Sequence, residues 1–351
     1  MRILVAVPGS PFQENDFEIL GRELCRQLNL TGHRADLMVT PSASGGQEYA
    51  AYIASFFAPV RRDGSGNRID RLISLGAPAI VLRHPFHVCW LGQRLGDFYE
   101  TWPSFLNRQR GIKKVSARLK RFILTNFDNY FLQRNVNRLF VMSPSIQEKI
   151  KRHNHVLDSL MLRPPPLAVP AFSTVPGDYL FAVARDRGEN RLETLLRGLA
   201  RTKVRVNVRI AGDESTLGDL RRLSGKLKLE KRIRFLVDPD WAERQRQLAG
   251  CRLLYHAPLA EDFSLLANQS GAAGKPLLTR PDSGFAAALS DQDGCGIILF
   301  SDEAELAAIL DRLWLDKPAI LTLGRKARRF SLSRHWPGVV EKLTKDELTA
   351  S

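Results

Sequence analysis

Short apolar runs alternate with longer helical patterns along almost the whole chain, and this alternation limits the fold more than any other feature. Runs of about four to six apolar residues have the length of buried strands, and the segments between them show helical spacing. Such a chain builds parallel sheets with helices on both faces. The predicted strands are Ile3–Val7, Ala35–Val39, Arg71–Leu75, Ala79–Leu82, His87–Leu91, Arg138–Met142, Tyr179–Ala184, Arg205–Ala211, Ile233–Leu236, Arg252–His256, Pro276–Thr279 and Gly296–Phe300.

A proline-rich segment divides this pattern into two blocks. Residues 163–177 contain five prolines, a content that excludes both a helix and a central strand. A length of 351 residues is enough for two domains, each with its own core. We therefore predict an amino-terminal domain over residues 1–162, a linker over 163–177 and a second domain over 178–330. Residues 331–351 remain as a carboxyl-terminal helical segment.

The composition is that of a soluble globular protein with a large positive charge. Hydrophobic residues make up 44% and charged residues 25%, while 52 Lys and Arg against 37 Asp and Glu give a net charge of +15. Such an excess attracts polyanions: nucleic acids, nucleotide sugars, lipid diphosphates or an anionic membrane. No zinc-finger spacing, helix-turn-helix signature or aromatic RNA motif accompanies the charge, so nucleic acid is not an expected partner.

The amino terminus and the hydropathy favour a cytoplasmic protein. The apolar run after Arg2 ends at Pro8-Gly9, which is too early for a signal peptide and fits a first buried strand. No window approaches the roughly 20 continuous apolar residues of a membrane span. The four cysteines are scattered without close pairs, which argues against a disulfide framework or a zinc site.

The segment from Glu261 to Gly284 is the strongest indication of a ligand site. Glu261 lies on the loop after the predicted strand Arg252–His256, and a helix of small residues begins at Leu265. An acid at the carboxyl end of a parallel strand, beside a helix amino terminus, is placed where open α/β sheets bind ligands. Amides at a helix terminus suit phosphate, and a carboxylate suits sugar hydroxyls.

This segment resembles the donor-sugar motif of the retaining family-four glycosyltransferases, which reads glutamate, seven residues, glutamate. Glu261 falls on the first glutamate, which in that family lies nearest the transferred sugar. Gln269 takes the second position, which holds the nucleotide ribose, and an amide can still hydrogen-bond a hydroxyl there. Ser264 replaces a usual glycine, and the resemblance assigns it to the donor site together with its neighbours Phe263 and Leu265.

The resemblance covers nearly the full chain and implies a fold. It predicts the GT-B architecture, with two facing Rossmann-like domains, each a parallel sheet covered by helices on both faces. It also predicts that the segment 331–351 crosses back to the first domain.

Turns after three other strands of the second domain complete the donor site that the resemblance implies. Arg185 falls on the arginine and Asn190 on the lysine of the family's diphosphate-binding turn, with Arg191 next to it. An arginine fork there would hold a diphosphate with support from the helix dipole. Gly212 ends the strand that the family places near the nucleotide, and Val237 lies on the loop that meets the base.

In the first domain, one residue is a candidate for donor binding, and two are candidates for contact with the acceptor or the reacting sugar. Gly9, in the turn after the first strand, is expected to face the donor. Residues 77–94 are similar to a bacterial branch of the family in which a histidine-containing turn follows a strand ending in Trp-Leu; Gln93 takes the place of that histidine, with His84 nearby. A histidine suits acid–base work or an acceptor hydroxyl. Since a histidine before proline also fits a capped turn, both interpretations of His84 stay open.

The stretch 108–124 mixes basic and apolar residues at helical spacing. It fits a helix lying on an anionic membrane surface, where each basic residue adds about 1 kcal/mol of attraction. It fits equally well an amphipathic helix packed on its own sheet with a solvated basic face. A peripheral location on the inner face of the membrane is therefore one of two alternatives.

The resemblance implies transfer of a sugar from a nucleoside-diphosphate sugar to a saccharide or lipid-linked acceptor. It implies retention of configuration, in the synthesis of cell-surface polysaccharide or glycolipid. The donor is a substrate, and no cofactor or metal is expected, since no acidic cluster has metal-ligand spacing. Because Gln93, Asn190 and Gln269 depart together from the family pattern, a second hypothesis stays open: a catalytically degenerate GT-B protein that binds a saccharide or a partner protein as a regulator or scaffold. A phosphorylase or epimerase on the same fold is a third.

Overall fold

The computed structural model describes residues 1–12, 15–42, 47–93, 99, 102–154, 158–167, 177–184, 191–259, 261–286 and 295–345, without the side chains of residues 103, 104, 108 and 112. The chain forms two compact units. Unit 1 comprises Met1–Pro164 and His335–Ser351, and unit 2 comprises Pro165–Arg334. None of the helices in the described ranges is long and apolar enough to cross a membrane.

Unit 1 is built on a six-stranded parallel sheet with the strand order β2-β1-β3-β4-β5-β6. Its inner strands are almost entirely buried, because apolar residues occupy both faces of a parallel sheet that helices cover. The strands are β1 (Arg2–Gly9), β2 (Arg34–Pro41), β3 (Arg71–Ser74), β4 (His87–Leu91), β5 (Arg138–Val141) and β6 (Leu160–Met161).

The helices of unit 1 follow the strand–helix alternation. Asn15 starts the first of them, since its side chain accepts a hydrogen bond from the Glu18 amide at 2.9 Å. The helices are α1 (Asp16–Leu30), α2 (Glu48–Phe56), α3 (Trp102–Arg108), α4 (Ile112–Arg134) and α5 (Pro144–Asn154), and the final helix of the chain, α12 (Trp336–Thr344), also lies in this unit. Trp336 packs edge-on against Trp90 with ring centres 6.3 Å apart.

Unit 2 is built on a second six-stranded parallel sheet with the order β12-β11-β10-β7-β8-β9. The strands are β7 (Tyr179–Val183), β8 (Asn207–Gly212), β9 (Ile233–Val237), β10 (Leu253–Tyr255), β11 (Leu277–Thr279) and β12 (Ile297–Leu299). The helices whose bounds lie in the described residues are α6 (Leu192–Arg201), α7 (Glu214–Lys226), α8 (Trp241–Gly250), α9 (Leu265–Ala272), α10 (Glu303–Leu315) and α11 (Lys317–Leu332).

Successive residues of β7 enter two different cores. Leu180 and Ala182 pack with α6 and α10, whereas Phe181 packs with α8 and α9. Since side chains alternate between the faces of a strand, this division means that helices cover both faces of the sheet. The predicted α/β fold with two parallel sheets is confirmed.

Local structure differs from the sequence-based expectation at four elements. The predicted strand Ala79–Leu82 is wrong: Ala79–Val81 form one turn of 3-10 helix. Leu72 of β3 pairs directly with His87 of β4, so the intervening apolar run has no place in the sheet and is buried against α2 and α4 instead. The prediction also lacked α3, the two-residue strand β6 and α11, which runs past the predicted domain end at residue 330.

Candidate active site

The carboxyl edge of the second sheet has the topology of a ligand site. From β7 the chain proceeds to β8 on one side, while β10 lies on the other side of β7. The strand order therefore reverses between β7 and β10, and loops leave in opposite directions at that point. Open α/β sheets bind ligands in the resulting crevice. The loop that carries Glu261 follows β10.

Glu261 is held in place by a histidine from the end of its own strand. The Nε2 atom of His256 lies 2.8 Å from Oε2 of Glu261. Since a carboxylate oxygen only accepts, the Nε2 proton points to Glu261, which fixes the tautomer of the ring. His256 is 2% exposed and stacks on Phe285 with ring centres 5.4 Å apart. The carboxylate therefore has a defined position, although its side chain is still 12% exposed.

Ser264 ties the same cluster to the start of α9. Its hydroxyl oxygen lies 2.8 Å from Nε2 of His256 and accepts a hydrogen bond from the Ala267 amide at 3.2 Å. Ser264 is thus the amino-terminal cap of α9, which is the reason the helix begins at Leu265. Phe263 and Leu265 are buried on either side of it. The structure brings these three predicted donor-site residues, with Glu261, into one stretch of loop and helix.

Gln269 lies one turn further along α9 with an amide that lacks partners. It is fully buried, and neither its oxygen nor its nitrogen has a hydrogen bond to any described residue. Its neighbour Asn268 instead donates to the Pro165 carbonyl at 3.1 Å. A buried amide without partners costs about 1–3 kcal/mol. Such a group is a candidate for contact with a ligand hydroxyl.

Arg191 is engaged with another side chain of unit 2. Its guanidinium donates two hydrogen bonds to the Asp282 carboxylate, at 2.6 and 2.9 Å. Burial raises the pKa of Asp282, but the hydrogen bonds and charge of Arg191 outweigh it, so that this pKa lies below its usual range. Tyr255 donates to the Arg191 carbonyl at 2.9 Å, which fixes the start of α6. The other two predicted diphosphate ligands, Arg185 and Asn190, lie outside the described residues.

Gly212 and Val237 end two adjacent strands at the same edge. A Cβ atom on Gly212 would stand 2.9 Å from that of Ala184, so the close approach of β8 to the end of β7 requires glycine. The Asp238 amide donates to the Gly212 carbonyl at 2.9 Å, and Val237 is 46% exposed beside it. These positions suit backbone contacts and a small apolar contact with a ligand.

Two of the first-unit candidates lie at the carboxyl edge of the first sheet. Gly9 ends β1 and lines a cavity of about 720 Å³ together with Phe12, Glu18 and Arg22. A Cβ on Gly9 would meet Val39 at 2.4 Å, so glycine is needed there. Gln93 follows the end of β4 and is partly exposed.

His84 lies at the opposite, amino-terminal edge of that sheet. It precedes β4 and contacts Ile69, which precedes β3. Its Nε2 donates to the Ile69 carbonyl at 3.0 Å, and its Nδ1 accepts from the Phe86 amide at 3.1 Å. With 8% exposure and both ring nitrogens bonded to main chain, His84 has the surroundings of a structural residue. We therefore leave it out of the proposed site.

Three residues at the carboxyl edge of the second sheet were not predicted as site residues: His256, Phe285 and Asp282. A histidine at the end of an otherwise apolar strand, five positions before an acid, was the available signal for His256. Within the described ranges, no group of three His, Cys, Asp or Glu side chains is arranged to hold a metal ion.

A known protein family matches part of the chain. Residues 174–330 match the model of the family described as glycosyl transferases, group 1. The matched stretch lies within unit 2. The prediction of a glycosyl transferase is thereby confirmed, although no curated protein sequence matches the chain.

Solved structures of similar fold cover 97% to 99% of this chain. Sucrose-phosphate synthase from Thermosynechococcus elongatus superimposes with a TM-score of 0.74, at 13% identity over 97% of both chains. HepE from Anabaena, solved in complex with UDP and glucose, gives 0.69 at 12% identity, covering 97% of this chain and 98% of HepE. WaaG, a glycosyltransferase involved in lipopolysaccharide biosynthesis, gives a TM-score of 0.68 at 13% identity, covering 99% of this chain and 100% of WaaG. At these identities the likeness establishes the GT-B fold.

Proposed function

We propose that the protein transfers a sugar, with retention, from a nucleoside-diphosphate sugar to a saccharide or lipid-linked acceptor. The observation that carries the proposal is the Glu261 carboxylate, held by His256 beside the amino terminus of α9 at the point where the strand order reverses. The role in cell-surface polysaccharide or glycolipid synthesis belongs to the same proposal. HepE was solved with UDP-glucose, a donor of the kind expected here.

Each residue of the site has a role that its chemistry supports. Glu261 accepts hydrogen bonds from hydroxyls of the donor sugar, and its defined position lowers the cost of ordering it on binding. Gln269 gains partners when a ribose hydroxyl reaches its buried amide. Residues 263–265 place the first amides of α9 toward the donor, where the helix terminus favours an anion.

Departure of the nucleoside diphosphate requires that its negative charge be stabilised. Arg185 remains our proposal for that role from the sequence. Arg191 would support it after exchanging Asp282 for the diphosphate, since a guanidinium binds either anion through the same two donors. Fixed donors that stabilise charge in the transition state are commonly the largest contribution to such a reaction. Gln93 is proposed to contact the acceptor or the reacting sugar from unit 1.

Calorimetric titration with a panel of nucleoside diphosphates and their sugars tests the donor site. We expect one donor to bind. In Glu261→Gln, the affinity for the nucleoside-diphosphate sugar should fall about tenfold or more, and the affinity for the free nucleoside diphosphate should change little. Glu341→Gln, on the exposed face of α12, is the matched control and should bind as the native protein does. Absence of binding to every member, by protein shown to be folded, would reject the donor site and favour the degenerate saccharide- or partner-binding protein.

A further inference from the structure

Helix α4 of unit 1 exposes a row of large apolar side chains. A helix on the surface of a globular domain normally turns polar residues outward and buries its apolar face. The inward side of α4 carries the buried residues Ala117, Leu124 and Leu132. On the outward side, large apolar residues remain 46% to 67% exposed: Val115, Leu119, Phe122, Phe127 and Tyr130.

Helix α2 continues this surface. Tyr49 and Ile53 of α2, and Phe57 directly after its last residue, follow one another at helical spacing and are 36%, 60% and 77% exposed. The two helices are joined by Lys120, whose ammonium group binds Glu48 and lies 5.3 Å from the centre of the Tyr49 ring. We refer to the outward faces of α2 and α4, with these eight apolar residues, as the α2–α4 surface. Exposed apolar groups that cluster in this way mark an interaction site.

The charge of helix α4 is almost entirely positive, and the one acid of α2, Glu48, is buried and bound to Lys120. Helix α4 contains six Lys and Arg residues and one acid, Asp128. Asp128 is 3% exposed and accepts hydrogen bonds from the hydroxyls of Tyr52 and Tyr99, so it offers no carboxylate to solvent. The partner of the surface must therefore be both apolar and anionic.

A cavity of about 500 Å³ opens beside Phe122, at the border of this surface. Arg118 and Arg121 line it, together with the ring of Trp102, and the Arg121 guanidinium lies 4.8 Å from the centre of that ring. His153 completes the wall. The volume suits a small ligand, and paired guanidinium groups suit a phosphate.

We propose that the α2–α4 surface docks on an anionic lipid bilayer, with a headgroup phosphate in the cavity lined by Arg118 and Arg121. A bilayer supplies an apolar interior for the exposed rings and an anionic surface for the basic residues in one partner. A second copy of the chain would bring two basic faces together and repel. Docking rests on the proposed function only in that it would bring the protein to the membrane that holds a lipid-linked acceptor. Docking itself does not require sugar transfer.

Flotation of the full-length protein with lipid vesicles tests the proposal. We expect binding to vesicles of phosphatidylglycerol and phosphatidylcholine in equal parts, little binding to phosphatidylcholine alone, and weakening by salt. Phe57→Ser with Phe122→Ser, and separately Arg118→Gln with Arg121→Gln, should each lower the partition coefficient about tenfold or more. Two control variants lie outside the α2–α4 surface and should bind the vesicles normally. Leu30→Ser with Leu315→Ser replaces apolar residues that are 68% and 75% exposed, and Arg325→Gln with Arg329→Gln removes exposed arginines of α11.

Three results would overturn docking on a bilayer. They are absence of binding to the anionic vesicles, normal binding by both surface variants, and a dimer in sedimentation velocity that the surface variants abolish. Because donor titration is carried out without lipid, loss of donor binding would count against sugar transfer alone. Failure in the flotation experiment would count against docking alone.

Discussion

Two buried histidines at opposite edges of their sheets show how position decides the role of the same side chain. His84, in unit 1, precedes its strand and bonds only main-chain atoms of Ile69 and Phe86. His256, in unit 2, directly follows β10 and lies 2.8 Å from the side chains of both Glu261 and Ser264. The first joins two segments of the fold. The second orients a carboxylate at the edge where parallel sheets bind ligands.

Removal of His84 should have the largest effect, and the effect should be on stability. His84→Leu leaves the buried Ile69 carbonyl and the partly buried Phe86 amide without their partner, which we expect to lower the free energy of unfolding by about 3 kcal/mol. Sugar transfer by the folded fraction should be unchanged. Urea denaturation together with an activity assay measures both quantities. A large loss of turnover at normal stability would return His84 to the active site.

Removal of His256 should act on the reaction. In His256→Leu, Glu261 loses its hydrogen-bond donor, and we expect kcat/KM to fall about thirtyfold, which corresponds to about 2 kcal/mol. His256→Gln places an amide nitrogen near the position of Nε2 and should restore most of the activity. His256→Asn is one carbon shorter and should not. Equal losses in all three variants would mean that the ring only fills space.

The difference between the two histidines also shows the limit of prediction from sequence. Apolar periodicity identifies β4 to the residue, because a buried strand needs a continuous apolar run of that length. The same argument fails at Ala79–Val81, where an apolar run is buried outside the sheet. Periodicity reports burial, and burial does not specify the backbone conformation.

The site was predictable only as far as local sequence defines it. Glu261 could be found as an acid on the loop after a strand, and the resemblance to the family motif, which is contiguous in sequence, added Ser264 and Gln269. The Ile69 partner of His84 lies fifteen residues earlier in the chain, before β3, and the partner of Arg191 comes from the turn after β11. Those contacts depend on how separate turns meet at a sheet edge, which no spacing rule specifies.

His87 extends the comparison to pH. It is fully buried at the start of β4, and burial, with a further contribution from the nearby charge of His84, lowers its pKa to about 3. Below pH ~6.5 the unfolded chain binds a proton there that the folded chain does not, so stability should fall by about 1.4 kcal/mol per pH unit toward pH 3. His87→Gln should flatten this slope in urea titrations between neutral and mildly acidic pH. Parallel curves for the two proteins would contradict the assignment.

The smallest effect expected is at Gln269, where binding and stability should move in opposite directions. Gln269→Leu replaces an amide without hydrogen-bond partners among the described residues by an apolar side chain of similar size, so the free protein should gain about 1 kcal/mol. The donor should bind about fivefold more weakly, because the ribose hydroxyl loses its partner. Thermal unfolding with and without donor measures both changes. Asn268→Leu is the matched control, and its stability should change in the opposite direction. Asn268 donates a hydrogen bond to the Pro165 carbonyl, and loss of that bond should destabilise the free protein. A Gln269→Leu variant that loses stability would mean that this amide has partners within the fold, and the proposed ribose contact would be rejected.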